Sequence, residues 1–316
     1  MTFIYVLTTN GNNYLEEQAY LSQYSLKYFN SDAKIYTLTD QDTFEYLNKK
    51  QDCLLKKTSE LIKVDCPTEY TMKERSRYLK LKMRKAVSGD FIYIDSDTII
   101  CGNLSELSNT NASVAQVYDL HIPYAKNPFL QKNTISKIKK SKLTYTPVTY
   151  FNGGVIFSKD DKTAHDFFSS ALETWIKYET KNFCVDQIAY NYANHQMNYF
   201  IKELDGIYNC QVTENGLRYL AQAKIIHYFK TTNNSTFLLA HESVLKKIRK
   251  EQNVSPDIEK MIVNAKNQFS DNAIILSDVN KIAVYNSYLF AVSLSLYKKF
   301  HILFTAINKL LSFFYR

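Results

Sequence analysis

The chain has 316 residues, of which 45% are hydrophobic and 22% charged, with only seven glycines and five prolines. This is the composition of a folded globular protein, and it excludes a chain made mainly of disordered or flexible linker sequence. The net charge of +8 favours anionic partners such as nucleotide phosphates or acidic lipid, whereas the lack of a basic arm or nucleic-acid motif predicts no nucleic acid partner.

The cysteines and the N-terminus indicate the compartment. The cysteines are odd in number and scattered, without a C-x-x-C pair: Cys53, Cys66, Cys101, Cys184 and Cys210. This spacing predicts neither a disulfide framework nor a zinc knuckle and favours a reducing compartment. The first residues lack the basic region and long apolar run of a signal peptide, and no run of about 18 apolar residues predicts a membrane span. We therefore expect a cytoplasmic protein.

The first elements predict a sheet that begins with parallel strands. An apolar strand over Phe3–Thr8 leads to a polar turn, and a helical pattern follows from Leu15, with Asn13 and Glu16 spaced as in a capping arrangement. A second strand over 33–39 gives a β-α-β start. The polar loop before such a helix is a common place to hold a nucleotide, although neither G-x-G-x-x-G nor a Walker A sequence is present.

The segment 40–74 is charged and irregular, and its elements are not predicted. It contains one D-x-D sequence, at Asp40 and Asp42, which we interpret as solvated turn residues in a loop.

A basic helix is predicted to follow over residues 73–85 and to end at Gly89. Arg77 and Lys80 lie three residues apart on one face of this helix and could reach a bound diphosphate or sugar. Arg84 and Lys85 are interpreted as part of a solvated basic face.

A second D-x-D sequence directly follows a predicted buried strand. The strand is the apolar run 91–94, and it ends at Asp95-Ser96-Asp97. Side chains two residues apart on extended backbone point the same way, so Asp95 and Asp97 can reach one hard cation together. Mg²⁺ and Mn²⁺ prefer oxygen ligands, and open α/β sheets bind ligands at the carboxyl ends of strands. The alternative is that the two carboxylates cap the segment that follows.

The middle of the chain continues the α/β pattern. A strand is predicted over 113–119, and a polar, Lys-rich excursion or lid over 121–146. The next strand begins with Gly153 and Gly154, which allow close approach of another group to the backbone. A helix with an apolar face follows over 166–178.

Two further positions are candidates for the site. Asp186 opens a helix, where it is either a helix cap or a site residue. The last apolar strand, 225–229, places His227 near its end, where the imidazole is either a third metal ligand or a satisfied core histidine.

The C-terminal sequence changes character. Residues 236–269 are helical in pattern, and from Tyr285 onward large apolar side chains are mixed with four basic ones: Lys298, Lys299, Lys309 and Arg316. This pattern is typical of a cationic helix lying in a membrane interface. The alternative is a terminal helix docked on its own protein or on another subunit.

Several motifs occur in a characteristic order. They are Thr8-Thr9-Asn10 after the first strand, the basic helix, FIYIDSD, YFNGGVIFS, DQIAYN and IIHYF, and they cover roughly residues 1–230. In this order they resemble glycosyltransferase family 8, the retaining GT-A enzymes that include glycogenin and bacterial lipooligosaccharide galactosyltransferases. The resemblance implies an α/β GT-A fold over 1–235, a Rossmann-like nucleotide-diphospho-sugar transferase with a mixed sheet flanked by helices. A small helical region over 236–316 would follow, with a membrane-associating tail over about 285–316, as occurs in bacterial members.

The resemblance also implies a role for each matching residue. Asp95, Asp97 and His227 would bind Mn²⁺ or Mg²⁺. The UDP-sugar donor would be held by Thr8, Thr9 and Asn10 at the uridine, by Arg77, Lys80, Asp95, Ser96 and Asp97 at the ribose, diphosphate or sugar, and by Asn152 and Gly153 beside the sugar. Asp186 and Gln187 would be the catalytic candidates that hold the sugar hydroxyls near the reacting carbon. The loop HYFKTTNNSTF departs from the usual diphosphate-gripping sequence after the metal histidine, and Lys230 is its candidate substitute.

The expected activity is transfer of glucose or galactose from a UDP-sugar to a glycan, glycolipid or glycoprotein acceptor, by a peripheral protein on the inner face of the cell membrane. One alternative is a sugar nucleotidyltransferase, although the basic Gly-rich loop of that class is missing. Another is a catalytically silent GT-A domain that binds glycan or organises other transferases at the membrane.

Overall fold

The computed structural model describes residues 1–126, 128–178, 185–213, 215–270, 284 and 287–314. The strands are β1 (Thr2–Leu7), β2 (Lys34–Thr39), β3 (Glu60–Lys63), β4 (Phe91–Ile94), β5 (Thr98–Ile100), β6 (Val114–Tyr118), β7 (Phe151–Ser158), β8 (Lys202–Glu203), β9 (Cys210–Gln211) and β10 (Ile225–His227). The α-helices are α1 (Leu15–Phe29), α2 (Gln41–Lys49), α3 (Met72–Ala86), α4 (Pro128–Lys140), α5 (Lys162–Tyr178), α6 (Asp186–Gln196), α7 (Glu242–Glu251), α8 (Pro256–Val263), α9 (Tyr288–Lys299) and α10 (His301–Phe314).

The main sheet has seven strands in the order β3-β2-β1-β4-β7-β6-β8. Strand β1 pairs in parallel with β2 and β4, as the β-α-β start predicts, whereas β7 runs antiparallel to both β4 and β6. Helices cover both faces, because β4 is apolar on each side. Phe91 and Tyr93 pack with α3 and α5, while Ile92 and Ile94 pack on the opposite face with α1. The sheet is therefore mixed and flanked by helices, as predicted.

A second, three-stranded sheet in the order β5-β10-β9 stands beside the end of β4. The short segment between β4 and β5 is bonded to both sheets. The backbone N–H of Asp95 donates to the carbonyl of Gly154 at 2.8 Å, and the N–H of Tyr228 donates to the carbonyl of Asp97 at 3.0 Å. The D-x-D segment is thus fixed on both sides by backbone hydrogen bonds.

The segment that the sequence left unassigned contains α2, a 3₁₀ helix (Leu54–Lys57) and β3. Asp40 is the N-cap of α2, where its carboxylate accepts from the N–H of Thr43 at 3.1 Å. Asp40 is also buried and pairs with Arg75 at 2.7 Å. The interpretation of Asp40 as a solvated turn residue was therefore wrong, although Asp42, which also pairs with Arg75, is exposed.

A second correction concerns Arg84, which is buried rather than part of a solvated face. Helix α3 ends at Ala86, before the predicted Gly89, and the turn into β4 leaves carbonyl groups without helical donors. The guanidinium of Arg84 donates to the carbonyls of Val87, Gly89 and Lys159. Lys85 is exposed, as predicted.

The C-terminal helices divide into two parts. Helices α7 and α8 join the same core cluster as α1, and Arg249 of α7 pairs with the buried Glu17 of α1 at 2.6 Å. Helices α9 and α10 have no buried residue, and α9 contacts α4 of the Lys-rich excursion. Arg316 of the predicted tail lies outside the described residues, as does Cys184. Among the described helices, none is both long and apolar enough to cross a membrane.

Candidate active site

A cleft of about 300 Å³ opens at the carboxyl ends of β1 and β4. Its lining comes from the ends of β1 and β4, the first turn of α1 and the first half of α3. The lining residues are Val6, Leu7, Thr8, Leu15, Gln18, Met72, Lys73, Ser76, Arg77, Lys80, Tyr93, Asp95, Ser96 and Asp97. This is the edge at which open α/β sheets bind ligands.

Asp95, Asp97 and His227 converge at this edge, with one ligand atom from each within 4.8 Å of the others. The Nε2 atom of His227 lies 3.3 Å from Oδ1 of Asp97. Burial alone would lower the pKa of His227, but the carboxylates of Asp97 and Asp95 outweigh it and raise that pKa. Burial likewise acts to raise the pKa of Asp97, and His227 overcomes it and lowers that pKa. Two carboxylates and one imidazole are a donor set that fits Mn²⁺.

A chain of side chains behind His227 holds the ring. Its Nδ1 lies 3.0 Å from Oδ1 of Asn209, whose Nδ2 donates to Oδ1 of Asn152 at 3.0 Å. The same Asn152 oxygen accepts from the N–H of Gly154 at 2.9 Å. A Cβ atom on Gly154 would lie 2.3 Å from Cε1 of His227, so the predicted close approach at the paired glycines is made by this ring.

Lys80 connects the D-x-D segment to the start of α6. Its Nζ lies 2.7 Å from Oδ1 of Asp95 and 3.2 Å from Oδ2 of Asp186. The ammonium is buried, which acts to lower its pKa, but the Asp186 and Asp95 carboxylates reverse this and raise the pKa of Lys80. The Nε of Arg77 lies 3.3 Å from Oδ1 of Asp186, so both basic residues predicted on one face of α3 reach this carboxylate.

Asp186 is the first residue of α6, after Val185 as the N-cap. Its carboxylate is engaged by Lys80 and Arg77, so the alternative of a simple helix cap does not describe it. Burial acts to raise the pKa of Asp186, and the two cations overcome this and lower it to about 2. The group is therefore ionised at neutral pH.

Gln187 follows Asp186 in α6, and its side chain contacts β7. Its Oε1 accepts from the N–H of Gly153 at 3.4 Å. Asp119 accepts from Nδ2 of Asn152 at 2.9 Å, and burial raises the pKa of Asp119. Sequence reasoning missed Asp119, although its position directly after β6 resembles that of Asp95 after β4. It also missed Asn209, which no motif or spacing marks.

The remaining candidates lie at or beyond the edge of the cleft. Thr8 is part of its lining and donates to the carbonyl of Met72 at 3.0 Å. Thr9 is buried in its own loop, where its hydroxyl donates to Asn13 at 2.9 Å, and Asn10 is exposed. Neither of these two is among the described residues that line the cleft.

Lys230 also lies away from the cleft lining, with its side chain exposed. It follows Phe229, which has a φ of 61° and whose ring centre lies 4.2 Å from that of His227. The loop that carries Lys230 is tied to α1, because Gln18 donates to Thr231 at 2.9 Å.

The mixed sheet, the D-x-D segment after a central strand and the histidine that returns to it define a glycosyltransferase of the GT-A fold. The family model described as "Glycosyl transferase family 8" matches residues 75–233, and the chain belongs to this family. The resemblance drawn from the sequence motifs is thereby confirmed.

Solved structures share this fold. The galactosyltransferase LgtC, in complex with donor and acceptor sugar analogs, is 14% identical with a TM-score of 0.53, and the match covers 82% of this chain and 99% of LgtC. Mouse xyloside xylosyltransferase 1 is 15% identical with a TM-score of 0.50, over 72% of this chain and 98% of that one. The glycosyltransferase GlyE of Streptococcus pneumoniae is 17% identical with a TM-score of 0.52, over 86% of this chain and 66% of GlyE. A comparison with curated proteins gives no match.

Proposed function

We propose that the chain is a retaining glycosyltransferase that moves glucose or galactose from a UDP-sugar to a glycan, glycolipid or glycoprotein acceptor and depends on Mn²⁺, with Mg²⁺ as the alternative ion. The observation that carries the proposal is the convergence of Asp95, Asp97 and His227 at the mouth of the cleft. The fold shared with a galactosyltransferase and a xylosyltransferase is consistent with sugar transfer.

Asp95, Asp97 and His227 would hold the ion, which when bound neutralises negative charge on the departing diphosphate. Thr8 lines the same cleft, and we assign it to the nucleoside together with Thr9 and Asn10 of the adjoining loop. Ser96 lies between the two carboxylates and also faces the cleft. We assign these residues to the donor, with Asn152 and Gly153 beside its sugar.

Asp186 has a defined part in this proposal. Because its pKa is lowered to about 2, with burial opposed by Lys80 and Arg77, the carboxylate can only accept hydrogen bonds at neutral pH. We expect it to accept from hydroxyl groups of the donor sugar, while Lys80 and Arg77 keep it in place. Gln187, the next residue, would orient the sugar near its reacting carbon.

The proposed reaction takes place on one face of the sugar. The acceptor hydroxyl oxygen bonds to the anomeric carbon while the bond from that carbon to UDP breaks. The proton of the hydroxyl passes to the departing phosphate, so no separate protein base is consumed. Attack from the face that the diphosphate leaves retains the configuration of the sugar.

The test measures UDP release from UDP-glucose and UDP-galactose by the full-length protein, with Mn²⁺ and with a chelator. We expect release that requires the metal and is lost in Asp97→Asn, but not in Asp42→Asn, whose carboxylate lies in the other D-x-D sequence. Equal release without metal, or in Asp97→Asn, would contradict the metal assignment. Glycan binding without release from any UDP-sugar would instead favour the catalytically silent domain.

We further propose that α9 and α10 attach the protein to the inner face of the cell membrane, where a lipid-linked acceptor would lie. The two helices expose large apolar side chains, among them Leu289, Ile302, Leu310, Phe313 and Phe314. They also carry Lys298, Lys299 and Lys309. A basic residue near an anionic bilayer contributes about 1 kcal/mol to binding, and buried apolar area adds to this.

Sedimentation with anionic vesicles tests this attachment. A chain that ends at Ser270 keeps α7 and α8 and should release UDP normally but stay in the supernatant. Changing Lys298, Lys299 and Lys309 to glutamine should weaken sedimentation, whereas the same change at the exposed Lys49, Lys56 and Lys85 should not. If the full-length protein does not sediment with the vesicles at low salt, the attachment is wrong and α9 and α10 are a contact with protein.

A further inference from the structure

We infer that Asn209 is a positioning residue for the metal site, which fixes Nδ1 of His227 as a hydrogen-bond donor and so leaves Nε2 to face Asp97 and the ion. The inference rests on the proposed function only in treating His227 as a metal ligand. It concerns residues that are buried: His227 is 2% exposed, Asn152 4% and Asn209 0%. Which atom donates in each hydrogen bond between Asn152, Asn209 and His227 follows from one backbone group.

The backbone N–H of Gly154 sets the direction at one end. It lies 2.9 Å from the side chain of Asn152, and a backbone N–H can only donate. The side-chain atom of Asn152 that faces it must therefore be the oxygen, Oδ1. The amide nitrogen of Asn152 then points to the other side, where it donates to the carboxylate of Asp119 at 2.9 Å.

The same oxygen determines how Asn209 is turned. Oδ1 of Asn152 lies 3.0 Å from the side chain of Asn209, and within the Asn209 amide only the nitrogen carries a proton to donate. Nδ2 of Asn209 must therefore face Asn152, which turns Oδ1 of Asn209 toward His227. That oxygen lies 3.0 Å from Nδ1 of the ring and can only accept, so Nδ1 carries the proton.

The result is a ring held in one orientation. With Nδ1 bonded to Asn209, the opposite nitrogen, Nε2, is the atom that lies 3.3 Å from Asp97. An outer partner that orients a histidine ligand typically changes metal affinity by about 10- to 100-fold when it is removed. Because Asn152 also borders the proposed sugar position, the metal ligand and the sugar side of the site depend on one hydrogen-bond network.

The experiment compares three variants. Asn209→Leu removes the acceptor, whereas Asn209→Asp keeps an acceptor toward Nδ1 of His227 but removes the donor to Asn152. Asn194→Leu is the matched control, because Asn194 is equally buried but bonds to Ile201 and Thr149, outside the network. Mn²⁺ affinity is measured with the ion alone by electron paramagnetic resonance. The Nδ1 proton of His227 is followed by NMR in the metal-free protein and assigned with His227→Gln, and thermal unfolding is recorded for each.

We expect Asn209→Leu to weaken Mn²⁺ binding by about 10- to 100-fold and to lose the slowly exchanging Nδ1 proton signal. Asn209→Asp should keep the Nδ1 proton signal, and Asn194→Leu should lower thermal stability but change neither the signal nor the Mn²⁺ affinity. Unchanged affinity and signal in Asn209→Leu, or equal losses in Asn194→Leu, would overturn the inference. Failure of wild-type protein to bind Mn²⁺ would count against the proposed metal site, while the proton signal would still decide the role of Asn209.

Discussion

Replacing Gly154 with alanine tests the packing that places His227. The added Cβ atom would lie 2.3 Å from Cε1 of the ring, 2.8 Å from its Nδ1 and 3.0 Å from Oδ1 of Asn152. Non-bonded carbon atoms prefer a separation of about 3.5–4 Å. The shortest of these contacts falls short of that separation by roughly 1 Å, so the ring or the strand β7 must move by about this distance.

The size of the effect follows from this displacement. A misplacement of about 1 Å near a reacting centre can cost roughly 10²-fold in rate, and overpacking a well-packed core costs about 1–3 kcal/mol. We therefore expect Gly154→Ala to lower kcat/KM for UDP release by about 10²-fold and to weaken Mn²⁺ binding. The free energy of unfolding, measured by urea titration, should fall by about 1–3 kcal/mol.

The neighbouring glycine provides the control. A Cβ atom on Gly153 would meet only Tyr190, at 3.8 Å and 4.0 Å, which is ordinary contact. Neither glycine has a positive φ, so alanine strains the backbone at neither position. Gly153→Ala should keep wild-type stability and Mn²⁺ affinity, whatever it does to the bound sugar. If Gly154→Ala binds Mn²⁺ and releases UDP like the wild type, the proposed packing of His227 is refuted.

Three other substitutions have defined outcomes. Asp186→Asn should lower kcat strongly. The pKa of Asp186 is lowered to about 2, so its carboxylate contributes fully to folding stability above the unfolded-state pKa near 4, and this contribution is lost as the pH falls through about 2. The free energies of unfolding of wild type and variant should therefore converge over that pH range. Arg84→Met should lower the free energy of unfolding by about 1–3 kcal/mol, because it leaves the buried carbonyl of Val87 without its donor and removes the bonds to the part-buried carbonyls of Gly89 and Lys159. A loss well below about 1 kcal/mol in urea titration would contradict that role. Asp42→Asn removes only an exposed ion pair with Arg75, so the free energy of unfolding should fall by no more than about 1 kcal/mol and the melting temperature should change little.

The sequence could predict the centre of the site because two local rules coincide there. The apolar run 91–94 predicts a buried strand, and extended backbone turns Asp95 and Asp97 the same way. The order of the motifs then identified the family, and with it the fold. What joins His227 to the D-x-D segment is a second sheet, β5-β10-β9, formed by residues far apart in the chain. No local pattern encodes that pairing.

The same letters at Asp40 and Asp42 show where local reasoning fails. Both D-x-D sequences follow a strand, but the first is followed at once by α2, so Asp40 caps the helix and is buried against Arg75. The interpretation of Arg84 as solvated was wrong for a related reason. The sequence shows a basic helix face, but the turn into β4 places backbone carbonyl groups around this one guanidinium. Burial of a single charged side chain depends on tertiary contacts that charge patterning does not contain.

Lys80 helps to stabilise the carboxylates of Asp95, Asp97 and Asp186 in the absence of a bound ion. Asp95 and Asp97 lie close enough to repel each other, yet each has a partner of its own: the ammonium of Lys80 for Asp95 and the imidazole of His227 for Asp97. Lys80 also holds Asp186, so one ammonium group connects the proposed metal ligands to the proposed sugar-binding carboxylate. An ion bound by Asp95 would draw charge from its carboxylate and so weaken the bond from Asp95 to Lys80, which would leave Lys80 to pair more fully with Asp186. Binding of the ion would then help to fix the carboxylate that receives the sugar.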